Sequence, residues 1–243
     1  MKIVAVVQAR MGSTRLPNKV LKDLGGASVL DRVLHRLRRS RLIADIVVAT
    51  TVEPRDNALV EHCEQNAISV FRGSEEDVLD RYYRAARQTH ADVVIRITSD
   101  CPLIDPEVTD ATIQAFLDQQ VDYCNNVRVR TYPRGLDTEV MTLKALERAW
   151  REAEKQYQRE HVTPYIYENP SKFKLHAIEN DVDYSHHRWT LDTQEDLVLL
   201  QAIYTCFGGR DDFSWREVLE VVEKDPSLAD INRHITQKAV REG

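Results

Sequence analysis

The 243-residue chain is 42% hydrophobic, enough for one substantial α/β core, and its charge of −6, from 39 acidic and 33 basic residues, argues against a general nucleic-acid binder. Cys63, Cys101, Cys124 and Cys206 are far apart with no C-x-x-C pair, so reduced thiols are expected rather than a zinc knuckle, redox motif or disulfide framework. The first apolar run is too short for a signal-peptide core and no stretch approaches a membrane span, so a cytoplasmic location without a membrane partner is expected.

Residues 3–7 form an unbroken β-prone run, which predicts a strand buried on both faces. It empties into a polar loop holding Arg10, Arg15 and Lys19. Gly12, Ser13 and Thr14 can offer backbone N–H groups and hydroxyls beside those cations, a set suited to triphosphate oxygens. A solvated connection with chance basic residues is the competing reading. Neither G-x-x-x-x-G-K-[ST] nor G-x-G-x-x-G follows the strand, which disfavours a Rossmann dehydrogenase.

Gly25 and Gly26 make a turn, and Val29, Leu30, Val33, Leu34 and Leu37 then recur at helical spacing, with Arg32, Arg36, Arg38 and Arg39 expected toward solvent. A strand at 45–50, a helix at 57–65 and a strand at 68–71 continue the alternation, which predicts a parallel sheet with crossover helices. Ser74 reads as an N-cap with Asp77 at the third helical position. Arg72 could read a ligand or simply pair with the acidic run at 75–77.

The central strand is expected at 92–98. It ends in Ser99-Asp100-Cys101-Pro102, and an aspartate there projects a carboxylate into the crevice where open α/β sheets bind ligands. Such a group would suit Mg²⁺; a turn-forming role before Pro102 is the alternative. A helix at 106–119 and a strand at 121–125 follow. The alternating apolar and basic residues of 127–134 predict an exposed hairpin arm, and 135–140 a strand with Asp137 and Glu139 on one face.

Leu143, Leu146, Ala149 and Trp150 mark another helix. His161 and Tyr165, four residues apart, would share a helix face and could both hydrogen-bond a polyol. After a strand at 173–178, His186 and His187 on an extended segment should point in opposite directions and share no metal, which leaves Arg188 as an anion contact. Thr193 and Asp196 make a capping box, with Asp192 just ahead of the helix. Trp215, Val218, Leu219 and Val222 read as core.

Three separated motifs, Q-A-R-x-x-S-T-R-L-P-x-K at 8–19, S-D-C-P-L-I at 99–104 and T-L-D-T-x-E-D-L at 190–197, resemble the CTP-dependent sugar-acid cytidylyltransferases. The likeness is to the CMP-3-deoxy-manno-octulosonate (Kdo) synthetases, with CMP-sialate synthetases more distant, and most to the branch called spore-coat polysaccharide biosynthesis protein F. The resemblance implies a Rossmann-like, GT-A-like three-layer nucleotidyltransferase fold with a mainly parallel sheet. It implies one domain over 1–243, with 126–180 as an inserted arm that closes the sugar pocket and makes a homodimer.

It also implies roles. Gln8, Ala9, Arg10, Gly12, Ser13, Thr14, Arg15, Lys19, Arg72, Gly73 and Ser74 would bind CTP, the 71–74 loop reading the base. Asp100 and Asp192 would hold Mg²⁺. Arg10, Arg15, Lys19 and Asp100 would act in catalysis, and Asp137, Glu139, His161, Tyr165 and Arg188 would meet an acidic sugar. Two departures concern the acceptor: Thr98 replaces the glutamine of those synthetases, and the stretch 128–134 matches neither group. A GT-A nucleotide-sugar glycosyltransferase and a non-catalytic nucleotide-binding protein of a polysaccharide pathway remain as alternatives.

Overall fold

The computed structural model describes residues 1–237. β1 (Ile3–Gln8), β2 (Asp45–Thr51), β3 (Ser69–Gly73) and β4 (Val93–Thr98) lie parallel in the order β3-β2-β1-β4. α1 (Val29–Leu37), α2 (Asn57–Gln65) and α3 (Val78–Gln88) connect them. Then come α4 (Pro106–Gln119), β5 (Tyr123–Asn125), β6 (Glu139–Thr142), α5 (Leu143–Glu152), α6 (Gln156–His161), α7 (Pro164–Tyr167) and β7 (Leu175–Ala177). The sheet continues β4-β6-β5-β7, and β6 is its one antiparallel strand among the described residues.

Alternation along β1 divides the core. Val4 and Val6 pack under Leu79 and Tyr82 of α3 and Leu146 of α5, while Ile3, Ala5 and Val7 pack under Leu30 and Leu34 of α1, Leu59 of α2 and Ile113 of α4. The result is the expected three layers. A third apolar cluster is built by α8 (Gln194–Cys206), α9 (Trp215–Lys224) and α10 (Pro226–Asp230), with Trp215, Val218, Leu219 and Val222 buried in it as expected. All four cysteines are free, and only Cys206 is exposed.

Several expectations are corrected. Arg32 and Arg36 do not face solvent: this C-terminal cluster covers them, at 4% and 0% exposure. Arg36 donates to the carbonyls of Ile104, Asp211 and Phe213, and Arg32 to those of Leu24, Gly25 and Gly209. Buried guanidinium donors must be satisfied, and backbone carbonyls do it here, joined at Arg32 by the Asp211 carboxylate at 2.8 Å.

α3 begins at Val78, not after Ser74, because Asp77 accepts from the Asp80 amide as cap. The 127–134 stretch is a loop rather than a hairpin, and β6 starts at Glu139, leaving Asp137 ahead of it. The 126–180 segment supplies β6 and β7 to the sheet. The chain turns at 185–186, so His186 and His187 do not diverge; their rings pack 4.1 Å apart.

The 127–134 loop is anchored at its end. The Arg134 amide donates to His187 O at 3.0 Å, and the Trp189 amide to Arg134 O at 2.7 Å. Next to this bridge, Gly135 has φ +109°, and a Cβ there would lie 2.6 Å from the Trp189 carbonyl oxygen. Only glycine fits. Gly135→Ala is therefore expected to lose about 1–3 kcal/mol or more, read as a fall in Tm of about 2–4 °C per kcal/mol in thermal unfolding; an unchanged Tm would show that the bridge can give way.

Candidate active site

The site lies at the carboxyl ends of β1 and β4, where parallel sheets leave a crevice. The loop after β1 is fixed from behind: the Met11 amide donates to buried Asp56 at 2.7 Å, and the Ser13 and Asn18 amides both donate to Met11 O. Asn18, at φ 58°, leads into a single 3₁₀ turn that begins with Lys19. Lys19 thereby reaches across the crevice.

Asp192 arrives from the other end of the chain. The Leu191 amide donates to Asp100 O at 2.8 Å and the Thr190 hydroxyl to the same oxygen at 3.1 Å, docking one motif on the other. The Lys19 ammonium then closes the pair, donating to Asp100 Oδ2 at 3.1 Å, Asp192 Oδ1 at 3.0 Å and Leu191 O at 2.7 Å. Its three protons find three acceptors. Burial alone would lower the Lys19 pKa, but the two carboxylates outweigh it and hold it above its ordinary value.

The two oxygens of Asp192 are divided. Oδ1 takes Lys19 and Arg15 Nη2, the latter at 3.0 Å, while Oδ2 takes Arg188 Nη2 at 2.9 Å. Burial would raise the Asp192 pKa; Lys19, Arg188 and Arg15 reverse that and depress it. Arg188 is in turn gripped by fully buried Asp196 at 2.9 and 3.0 Å, and Asn232 donates to Asp196 at 2.8 Å. The capping box of Thr193 and Asp196 is present as expected, with Asp196 serving both roles.

Two cavities meet at this carboxylate pair. One, of about 300 Å³, is lined by Gln8, Arg10, Gly12, Ser13, Thr14, Arg15 and Lys19. The other, of about 520 Å³, is lined by Asp137, Glu139 and His161 with Arg96, Arg128, Arg130, Arg134 and Tyr167. Arg15, Thr98, Asp100 and Asp192 line both. A molecule in either cavity would thus present one end to the same pair of carboxylates.

Some predicted site residues lie elsewhere. Ala9 is buried in the core. Arg72 donates to the carbonyls of Thr51 and Glu53 and to Asn57 Oδ1, so it pairs with neither a ligand site nor the acidic run, and with Gly73 and Ser74 it lines neither cavity. From that loop, Glu75 alone reaches the site, pairing with Arg10 at 3.1 Å. Tyr165 parts from His161 because Val162, at φ 72°, breaks the helix between them. Its hydroxyl meets Glu152 and Lys172 instead. Arg188, expected as an anion contact, is held by the carboxylates of Asp192 and Asp196.

Other lining residues were not anticipated. Arg96 interrupts the apolar run of β4, and a charge in a central strand requires a partner; it has one in Glu139 at 2.6 Å. Arg130 binds Asp137 through both nitrogens, at 2.6 and 2.8 Å. Burial works against the Asp137 carboxylate, but Arg130 prevails and lowers its pKa. Among the described residues, Arg128 and Arg134 have no carboxylate within ion-pair distance; Arg128 lies 5.0 Å over the Tyr167 ring. The larger cavity therefore has cationic charge to spare.

This geometry accompanies a sequence match over residues 4–221 to the family described as cytidylyltransferase. The chain belongs to the cytidylyltransferase family. It is a CTP-utilising nucleotidyltransferase. The cytidylyltransferase is 43% identical to the uncharacterized protein MJ1063 of Methanocaldococcus jannaschii, over 100% of this chain and 99% of that one. It is 38% identical to the spore coat polysaccharide biosynthesis protein SpsF of Bacillus subtilis, over 93% of this chain and 96% of that one.

Among solved structures, a cytidylyltransferase from Leptospira borgpetersenii serovar Hardjo-bovis superposes with TM-score 0.90 at 38% identity, covering 98% of this chain and 100% of that one. A CMP:2-keto-3-deoxy-manno-octonic acid synthetase complexed with CTP superposes with TM-score 0.68 at 19% identity, over 85% of this chain and 100% of that one, and shares the fold. No helix among the described residues of the cytidylyltransferase is long and apolar enough to cross a membrane.

Behind the larger cavity, the carbonyl of His187 holds the Arg134 loop, and its ring packs 5.5 Å from Trp189. Burial, with the adjacent His186, lowers the His187 pKa to about 4. A folded pKa below the unfolded value of about 6.5 means the unfolded chain binds the proton first. The neutral ring's contribution is thus full above about pH 6.5 and lost as the pH falls toward 4. NMR titration of the His187 ring is expected to give a midpoint near 4; a midpoint near 6.5 would refute the burial argument.

Proposed function

We propose that the cytidylyltransferase transfers CMP from CTP to a hydroxyl of an acidic sugar, releasing pyrophosphate, in the making of a surface polysaccharide. The observation that carries this reading is the pair of cavities sharing Asp100, Asp192, Arg15 and Thr98. CTP takes the smaller cavity with its α-phosphate at the shared wall, and the acceptor takes the larger. Arg128 and Arg134, which have no ion-pair partner among the described residues, meet the acceptor's acid group, as charge-assisted bonds to guanidinium do. A Kdo-like acid or a nonulosonate has the right charge. The name of the SpsF relative supports the polysaccharide setting.

In this mechanism the difficulty is to bring an anionic acceptor to an anionic phosphate, and the remedy is electrostatics and positioning. Asp100 and Asp192 would hold Mg²⁺. Two carboxylates converging on one cation-sized position fit an ion that completes its shell with water and phosphate oxygens, as does the absence of a third His, Cys, Asp or Glu ligand there among the described residues. When bound, such an ion supplies neutralising charge to the phosphate and lowers the pKa of an attacking hydroxyl. Arg10, Arg15 and Lys19 stabilise the departing pyrophosphate. Gly12 and Thr14 orient it with backbone N–H groups, and Ser13 and Thr14 with their hydroxyls.

A homodimer and a cytoplasmic location belong to the same proposal. The homodimer rests on the resemblance of the 126–180 region to the part that closes the sugar pocket and pairs the subunits.

The test is pyrophosphate release with Mg²⁺, each nucleoside triphosphate in turn and a panel of acidic sugars and phosphonates. Release is expected with CTP and an acidic sugar, and a fall of about 10²-fold or more in Asp100→Ala; release only with another triphosphate would overturn the reading. Arg134→Ala is expected to raise the acceptor KM by about 10- to 100-fold while leaving that for CTP near its original value; an effect confined to CTP would remove the acceptor from the larger cavity.

A further inference from the structure

Lys19 occupies the position that an ion held by Asp100 and Asp192 would need. Its ammonium lies 3.1 Å from Asp100 Oδ2 and 3.0 Å from Asp192 Oδ1, and is capped by Leu191 O at 2.7 Å. The Lys19 side chain is 13% exposed. Arg15 reinforces it on Asp192 Oδ1, the oxygen not already held by Arg188. Two carboxylates so close repel each other unless a cation lies between them, and Lys19 is that cation. While it stays, a divalent ion would meet an ammonium and a guanidinium at the oxygens it requires.

We infer that Lys19 is an exchangeable internal counter-ion, which closes the carboxylate pair to divalent metal until a nucleoside triphosphate draws the ammonium away. The lysine has somewhere to go. It lines the smaller cavity with Arg10 and Arg15, and its ammonium is a point charge on a flexible four-carbon stem. When triphosphate oxygens enter, they offer Lys19 and Arg15 stronger anionic partners and bring oxygen ligands of their own. The ion and the nucleotide therefore arrive together, each making room for the other, and the free enzyme takes up little metal. No bond is made or broken in this exchange. The inference rests on the reading that Asp100 and Asp192 hold the metal, and it assigns the order in which that site fills.

The probe is Mn²⁺, with enzyme-bound ion distinguished from the free Mn²⁺–CTP complex by water proton relaxation. Without nucleotide, Lys19→Met and Lys19→Gln are expected to bind Mn²⁺ at least about tenfold more tightly than the wild type, whereas Lys19→Arg should stay weak because it keeps the cation. Adding CTP should tighten Mn²⁺ binding strongly in the wild type and less in the Met and Gln variants, whose CTP affinity should itself be lower. Thermal unfolding identifies any variant that has not folded, and the two neutral variants check each other.

If folded Met and Gln variants bind Mn²⁺ no better than the wild type, while CTP-dependent Mn²⁺ binding in the wild type is lost in Asp100→Asn, the counter-ion inference is overturned and the metal reading stands. If Asp100→Asn leaves CTP-dependent Mn²⁺ binding intact, the metal reading itself falls, and the inference with it.

Discussion

One ammonium group joins three distant parts of the chain. Lys19 comes from the loop after β1, Asp100 from the end of β4, and Asp192 and the Leu191 carbonyl from the approach to α8. Each carboxylate would be costly to bury without a cation, and the lysine would be costly to bury without them. The arrangement stands only as a set. Around it the fold adds fixed supports: Asp56 behind the basic loop, and Asp196 with Asn232 behind Arg188.

Charge is distributed differently in the two cavities. In the smaller one, the loop cations pair with Asp192, Asp100 and half-buried Glu75, and Glu160 adds a carboxylate to the lining. In the larger one, Arg96 and Arg130 are matched to Glu139 and Asp137 across good hydrogen bonds, and these pairs shape the wall. Arg128 and Arg134 are left over. A net charge of −6 over the chain thus coexists with a crevice suited to anions, because the acidic excess lies outside it.

The sequence made the meeting of the basic loop with Asp100 and Asp192 legible because each of these parts is marked locally. The basic loop, S-D-C-P-L-I and T-L-D-T-x-E-D-L each keep their chemistry within a few residues of a strand or helix end. The acceptor half was harder to read. Alternation of apolar and basic residues at 127–134 suggests a strand, yet Gly135 and the bridge from Arg134 to His187 hold it as a loop whose arginines line a cavity. The i, i+4 relation of His161 and Tyr165 fails because Val162, at φ 72°, ends one helix and Pro164 opens the next, and that proline between the two residues is the local signal of the break. Arg32 and Arg36 look like a solvated helix face until the C-terminal cluster, more than 170 residues away, is laid over them. Arg72 and Arg188 are good anion ligands by type, and each is instead satisfied within the protein.

The order in which these parts leave the ribosome has a consequence of its own. The contacts that define the centre span 81 residues from Lys19 to Asp100 and 173 from Lys19 to Asp192. A nascent chain can lay down β1 to β4 before residue 190 is made, but it cannot assemble the carboxylate pair until the T-L-D-T stretch at 190–193 has emerged and docked. Until then Asp100 and Lys19 have only each other. Competence for nucleotide chemistry is thus acquired after the sheet that supports it, since Asp192 follows β7 in the chain, and a chain stopped before residue 190 would hold the sheet without the centre.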